Sequence, residues 1–190
     1  MNKLIKFLLI LCMMGFLVYC NNNEDMNSAG LMIRVSSINA KSTNGDTGPI
    51  MYSDVLFGSS YINDVATVEI ASDLLNQTIT PSFFNNVLLT RYRVTYKRPD
   101  NRNVPGVDVP YPFDEVMNLE ISANGRGSTT ITVVRAIAKD EAPLVWLAEP
   151  GMSEKIISGQ AHIEIWGHDL AGRTVYCKGY LEVLFANWAD

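Results

Sequence analysis

Histidine and cysteine are scarce in this chain, two and three among 190 residues, and both scarcities exclude chemistry. Two imidazoles leave little room for acid–base work near neutral pH, where histidine is the side chain that changes charge. Enzyme signatures are missing too: there is no Gly-x-Ser-x-Gly elbow, no His-Glu-x-x-His and no glycine-rich phosphate loop. The expectation is that the chain is not an enzyme and needs no cofactor, with carboxylate pairs the one catalytic device left open. No long stretch repeats its apolar residues at helical spacing. No apolar run reaches the roughly 17–25 residues that a membrane-crossing helix requires. Positive charge is not in excess either: 15 basic against 20 acidic side chains give a net charge of −5. That balance disfavours nucleic acid, whose binding rests on neutralising phosphates.

What is present begins at the N-terminus. Lys3 and Lys6 make a short cationic start, and residues 7–18 are uncharged and mostly apolar. A basic start with a short apolar stretch is the pattern of a secretory leader. The run ends Leu17-Val18-Tyr19-Cys20 and is followed by Asn21-Asn22-Asn23-Glu24-Asp25. This resembles a bacterial lipoprotein signal, in which a cysteine after a Leu-x-x triplet takes a diacylglyceryl thioether and becomes the new N-terminus. It departs from that pattern at Tyr19, where a small residue is usual. The competing reading of Cys20 is a chance cysteine after an ordinary leader. The resemblance implies anchoring at Cys20 by several acyl chains, since lipid contributes about 0.8 kcal/mol per buried methylene and a single chain holds only marginally.

Loss of residues 1–19 removes two lysines and leaves 13 basic against 20 acidic side chains, a net charge of −7 on 171 residues. With Cys12 gone and Cys20 lipidated, Cys177 stands alone and no disulfide framework is possible within the chain. The expected organisation is a leader over 1–19, a lipidated cysteine and flexible tether over 20–30, and one domain over 31–190.

From residue 31 the texture is that of strands: Val, Ile, Thr and Tyr runs punctuated by turn residues. Strands are predicted over 31–38, 65–72, 88–97, 116–122, 128–138, 160–168 and 174–186. Asn124-Gly125 marks a tight hairpin, because the pair tolerates positive φ. About seven short alternating strands predict an all-β fold, a single antiparallel immunoglobulin-like β-sandwich. Its connections at 39–64 and 139–159 are elaborated, the second with a helical turn near 141–148.

The last hairpin permits a register prediction. Ala161, Ile163 and Ile165 alternate on one side of their strand, and Val175, Cys177, Leu181, Val183 and Phe185 do so on the next. Facing residues share a side of the sheet, so odd numbers pair with odd. A three-residue loop, Leu170-Ala171-Gly172, achieves this with the glycine left-handed. It pairs Asp169 with Arg173, Ile165 with Cys177, Glu164 with Lys178, Trp166 with Tyr176, and His162 with Tyr180. Cys177 then faces the core as a small hydrophobe.

In residues 88–97, Tyr92, Val94 and Tyr96 alternate with Arg91, Arg93, Thr95 and Lys97. Beside 160–168 in one sheet, this strand predicts a solvent face of Arg91, Arg93, Lys97, His162, Glu164, Trp166, His168, Tyr176, Lys178 and Tyr180. Aromatic and Arg side chains are the usual anchors of interfaces, so the face is a candidate binding surface for an envelope protein or a glycan. The plainer reading is an ordinary solvated sheet face. His162, Glu164 and His168 share it, but Lys178 opposite Glu164 argues against a metal. In 98–114 the prolines stiffen the chain, and Pro105-Gly106 suits a type II turn. Asp100, Asn103, Asp108 and Asp114 offer calcium-type oxygens, yet their spacing matches no calcium loop. Turn capping and pairing with Arg98 and Arg102 is the simpler account.

The stretch 92–114, with Tyr52-Ser53-Asp54-Val55 and Ile62-Asn63-Asp64, resembles a set of uncharacterised bacterial lipoproteins. These carry Arg-x-Asp-Gly-Arg-Asn-x-Pro-Gly-Val-Asp-Val-Pro followed by Phe-Asp, and end in a hairpin like Gly167-His168-Asp169-Leu170-Ala171-Gly172. The sequence departs at Asn101, where that pattern has glycine. The resemblance implies one compact lipid-anchored domain in the bacterial envelope and transfers no activity. The expected role is a non-catalytic binding or assembly module, at the outer membrane, facing the periplasm or the surface. Two alternatives stand beside it: a carbohydrate- or polymer-binding module using the same aromatics, and a hydrolase using acids of the Pro-rich loop.

Overall fold

Two β-sheets enclose one apolar core in the computed structural model, which describes residues 29–41, 47–152 and 155–188. The leader, Cys20 and the tether up to residue 28 lie outside the described residues. The strands are β1 (Leu31–Lys41), β2 (Thr47–Gly48), β3 (Ile50–Asp54), β4 (Asp64–Leu74), β5 (Val87–Lys97), β6 (Phe113–Ile121), β7 (Arg126–Val134), β8 (Ile157–Asp169) and β9 (Thr174–Ala186). One sheet has the order β2-β1-β4-β7 and the other β3-β9-β8-β5-β6. The all-β expectation therefore stands, and each of the seven predicted strands has its counterpart.

Alternation explains the layering. Along β9, Val175, Cys177, Leu181, Val183 and Phe185 are buried while Lys178, Tyr180 and Glu182 are exposed. Ile33, Val68, Ile70, Ile131 and Val133 line the opposing sheet. Two tyrosines enter this core with their hydroxyls satisfied. Tyr96 donates to the Val133 carbonyl at 2.6 Å, and Tyr92 donates to Glu115 while accepting from the Thr132 amide. Burial raises both phenols far above their usual range.

Four features depart from the expectation. First, β3 runs parallel to β9, Ile50 opposite Glu182 through Asp54 opposite Ala186, so the sheet is not antiparallel throughout. A crossover from β3 to β9 through most of the chain leaves that direction free. Second, the strand expected to 138 stops at Val134. Ala136–Lys139 is a helical turn whose first amide, Ala136 N–H, is taken by Asn63 Oδ1 at 2.6 Å. A short stretch such as Val133 to Ala138, apolar but for Arg135, has no period that separates strand from helix. Third, Ala29 is buried and its amide donates to the Thr174 carbonyl, so the fold begins inside the expected tether. Fourth, the register shifts between Leu89 and Arg91 against both neighbours: β5 has the extra residue facing β8, and β6 has it facing β5. There Gly167 lets β5 pass close, because a Cβ on it would lie 2.2 Å from the Leu88 carbonyl oxygen.

The expected turn at 141–148 is a 3-10 helix, Leu144–Ala148. Gly106 sits at φ +74 after Pro105, with the Val107 amide bonded to the Val104 carbonyl, as a type II turn requires. Asn101 takes φ +61, a left-handed conformation that glycine and asparagine both accept.

A buried polar junction ties β3, β4 and the helical turn together. Lys139 is fully buried, and its Nζ donates to Asp64 Oδ1 at 2.9 Å and to the Asp54 carbonyl at 2.6 Å. Ser53 Oγ donates to Asp64 Oδ2 at 2.6 Å, and Asp54 Oδ1 accepts the Trp188 amide. The Tyr-Ser-Asp and Ile-Asn-Asp segments of the resemblance thus meet at one lysine.

Candidate functional site

The candidate face is built by register. Successive outward rungs cross β5, β8 and β9: Arg91–Trp166–Tyr176, Arg93–Glu164–Lys178, Thr95–His162–Tyr180 and Lys97–Gln160–Glu182. The hairpin register is the one expected. The Asp169 amide donates to the Arg173 carbonyl while the Arg173 amide donates to Asp169 Oδ1, Gly172 stands at φ +85, and Arg173 forms an ion pair with the buried Asp169 at 2.7 Å. All ten predicted face residues lie on the outward positions of this sheet.

Their contacts form a ladder. The Arg91 guanidinium lies 4.4 Å from the Trp166 ring centre, and Trp166 meets Tyr176 at 5.5 Å. His162 packs edge-on to Tyr180 at 4.7 Å, and Lys178 Nζ stands 6.0 Å from the Tyr180 ring. The expected Glu164–Lys178 ion pair gives way to a different bond: Tyr176 donates its hydroxyl to Glu164 Oε1 at 2.8 Å. Register brought Lys178 opposite Glu164, but a lysine gains more over an aromatic face when the carboxylate has a shorter partner diagonally placed. Arg93 pairs with Asp114 of β6 at 3.7 Å instead.

Protonation follows from these surroundings. Burial, then the bond to Glu164, pushes the Tyr176 phenol up to about 12. His162 is held below its usual value by desolvation and then by the Lys97 ammonium. Burial raises the Cys177 thiol to about 12, so this free cysteine is a poor nucleophile.

A groove of about 450 Å³ opens at the Lys97 rung, lined among others by Lys97, Arg98, Gln160, His162 and Glu182. It mixes cations, an imidazole, an amide and a carboxylate, a donor and acceptor set suited to a polar ligand. His168 lies far from it, six residues along β8 from His162 and so about 20 Å away. His162, Glu164 and His168 do not converge, and among the described residues no cluster of His, Cys, Asp or Glu is arranged to hold a metal.

Sequence reasoning missed one part of this surface. Tyr52 of β3 extends the aromatic face at the sheet edge and packs edge-on to Trp188 at 5.9 Å. Its alternating segment Ile50–Asp54, with Tyr52 exposed between buried Met51 and Ser53, was the available signal. Of the loop acids, Asp114 meets the face through Arg93, whereas Asp100 and Asp108 serve their own loop. Asp100 bridges Arg98 and Arg102, which hold its carboxyl below the usual range, and Asp108 Oδ2 accepts the Val104 amide.

The other sheet provides a control within the molecule. Its four strands hold no aromatic residue, and its outer face carries Arg34–Asp73 and Arg126–Glu69 ion pairs among serines and threonines. Among the described strands, outward aromatics stand on one face only. Searches of protein-family models and of curated proteins find nothing that matches this chain.

Proposed function

We propose that the chain is a lipid-anchored protein of the bacterial envelope, a non-catalytic binding module that engages its partner through the outer face of the five-stranded sheet. The observation that carries this reading is the Arg91–Trp166–Tyr176 stack, continued by His162 and Tyr180, on a face whose side chains stay partly or fully exposed. Such ordered, half-exposed aromatics with a guanidinium lose little entropy on contact. The lipid anchor rests on the cationic start, the short apolar run and Cys20. The strand order supports an immunoglobulin-like sandwich, with first-edge β3 parallel to the last strand β9. The resemblance to bacterial lipoproteins points to the same envelope address.

The test is capture from detergent-solubilised envelopes. The wild type retains a partner that Trp166→Ala loses and that Thr130→Ala, on the opposite sheet, keeps. Equal capture by all three removes the face from the proposal, and intact mass of the native protein with an unmodified Cys20 removes the anchor. A second reading is favoured by the groove beside Lys97, Gln160 and Glu182: a glycan or other polar polymer lying along the same aromatics. Loss of glycan retention in Gln160→Ala with protein capture intact would select it.

A further inference from the structure

Residues 74–90 carry no charged side chain, and the connection from β4 to β5 within them crosses one end of the sandwich from one sheet to the other. It is rich in Asn, Gln, Ser and Thr, yet it turns large apolar groups outward. Leu75 is 67% exposed, Ile79 56%, Phe83 68% and Phe84 62%. The loop is nonetheless built. Asn76 accepts the Thr78 amide and hydroxyl, Ser82 and Asn85 bond each other across a 3-10 turn, and the Phe83 and Phe84 rings stand edge to face at 6.2 Å. Ordered phenylalanines held out into water stand for something that covers them.

The place of the loop says what does. The Leu75 amide donates to the Gly30 carbonyl, and Ala29 N–H donates to the Thr174 carbonyl at the same end. The chain therefore enters the fold beside this loop. Nine residue steps separate Cys20 from Ala29, about 30 Å when fully extended and roughly 17 Å as a coil. β4 alone has eleven residues and spans about 36 Å. A lipid on Cys20 thus keeps the loop end near the bilayer, while the groove beside Lys97 lies at the other end.

We infer that residues 75–84 form a second membrane contact, in which Phe83 and Phe84 enter the lipid interface while the amides and hydroxyls around them stay among the headgroups. This rests on the lipid-anchor reading for its geometry. Aromatic rings flanked by polar uncharged groups suit that zone, where one side is apolar and the other wet. The far end also exposes Val104, Val107 and Tyr111, but it intersperses them with Arg98, Asp100, Arg102 and Asp108, charges that resist entry. Together the lipid and the loop would fix the module's orientation, with its binding face upright above the membrane.

The experiment uses residues 21–190, which contain every described strand and lack the lipid-bearing cysteine. The probes are vesicles of phosphatidylethanolamine with phosphatidylglycerol, and the readouts are co-flotation and the fluorescence of Phe83→Trp. Flotation is expected, lowered at least about tenfold by Phe83→Ala with Phe84→Ala and unchanged by high salt or by Val107→Ala. The Phe83→Trp emission should shift to the blue and be quenched by lipids brominated in the upper acyl chain. Absence of shift and quenching overturns the inference, as does binding that salt abolishes or that the double variant retains. Because this protein carries no lipid, such a failure leaves the Cys20 anchor standing. An unmodified Cys20 in the native protein refutes the anchor and leaves the vesicle result to stand alone.

Discussion

Two polar clusters in this fold use similar groups in opposite surroundings. At the junction, the Lys139 ammonium, the Asp64 carboxylate and the Ser53 hydroxyl are sealed from water. On the outer face, Arg91, Trp166, Tyr176 and Glu164 make comparable contacts half in solvent. A buried charge that loses its partner has no water to turn to, so the cost far exceeds what the pair itself contributes. An exposed contact exchanges with solvent and contributes little. The fold is therefore held at the junction, and the face can vary without unfolding the domain, as the proposed binding role requires.

The largest effect should come from Lys139→Ala, which strands Asp64 and costs about 3–5 kcal/mol in urea denaturation. Replacing the pair by Lys139→Met with Asp64→Leu should recover most of that loss. A single-variant loss under about 1 kcal/mol would break the contrast between the clusters. Next comes Gly167→Ala, about 1–3 kcal/mol, because the added Cβ meets Leu88 backbone that cannot give. It lies between the face residues Trp166 and His168 but on the core side of β8, opposite Leu89 and Val175, and should behave as a core position. Trp166→Ala should cost only about 1–2 kcal/mol through its two ring contacts, while abolishing capture of the partner.

The smallest effects are in pH dependence, and they have opposite signs. Burial raises the Asp64 carboxyl, against the pull of Lys139 and Ser53. The folded state then holds this proton after the unfolded chain has lost it, so Asp64's contribution falls as pH rises from the ordinary carboxylate range to its raised value. Asp64→Asn should remove that downward slope from stability measured against pH. His162 is lowered, so the unfolded chain binds its proton first and the contribution of His162 is lost as pH falls below the ordinary imidazole range. A nuclear magnetic resonance titration should place its midpoint under 6.5, and Lys97→Ala should bring it upward.

Much of the face was legible because a strand repeats every two residues, and one loop length sets which residues face each other. Given Leu170-Ala171-Gly172, the partners of Trp166 and His162 follow from counting. The Glu164–Lys178 ion pair failed although its register was right, since side chains choose among diagonal neighbours that counting does not rank. β3 was invisible for another reason. Five residues pairing parallel to a strand about 130 positions later carry no local mark of their partner.

Lys139 opens the connection at 139–159, and only its tertiary neighbours show it to be buried. The chain alone determined an all-strand texture and the faces of β5, β8 and β9, from patterns only a few residues long. Tertiary structure decided that Ser53, Asp64 and Lys139 share one dry site, that Tyr52 joins the aromatic face, and that the loop around Phe83 stands beside the point where the chain enters the fold. Such meetings depend on which distant segments pack together, and a linear pattern holds no record of that distance.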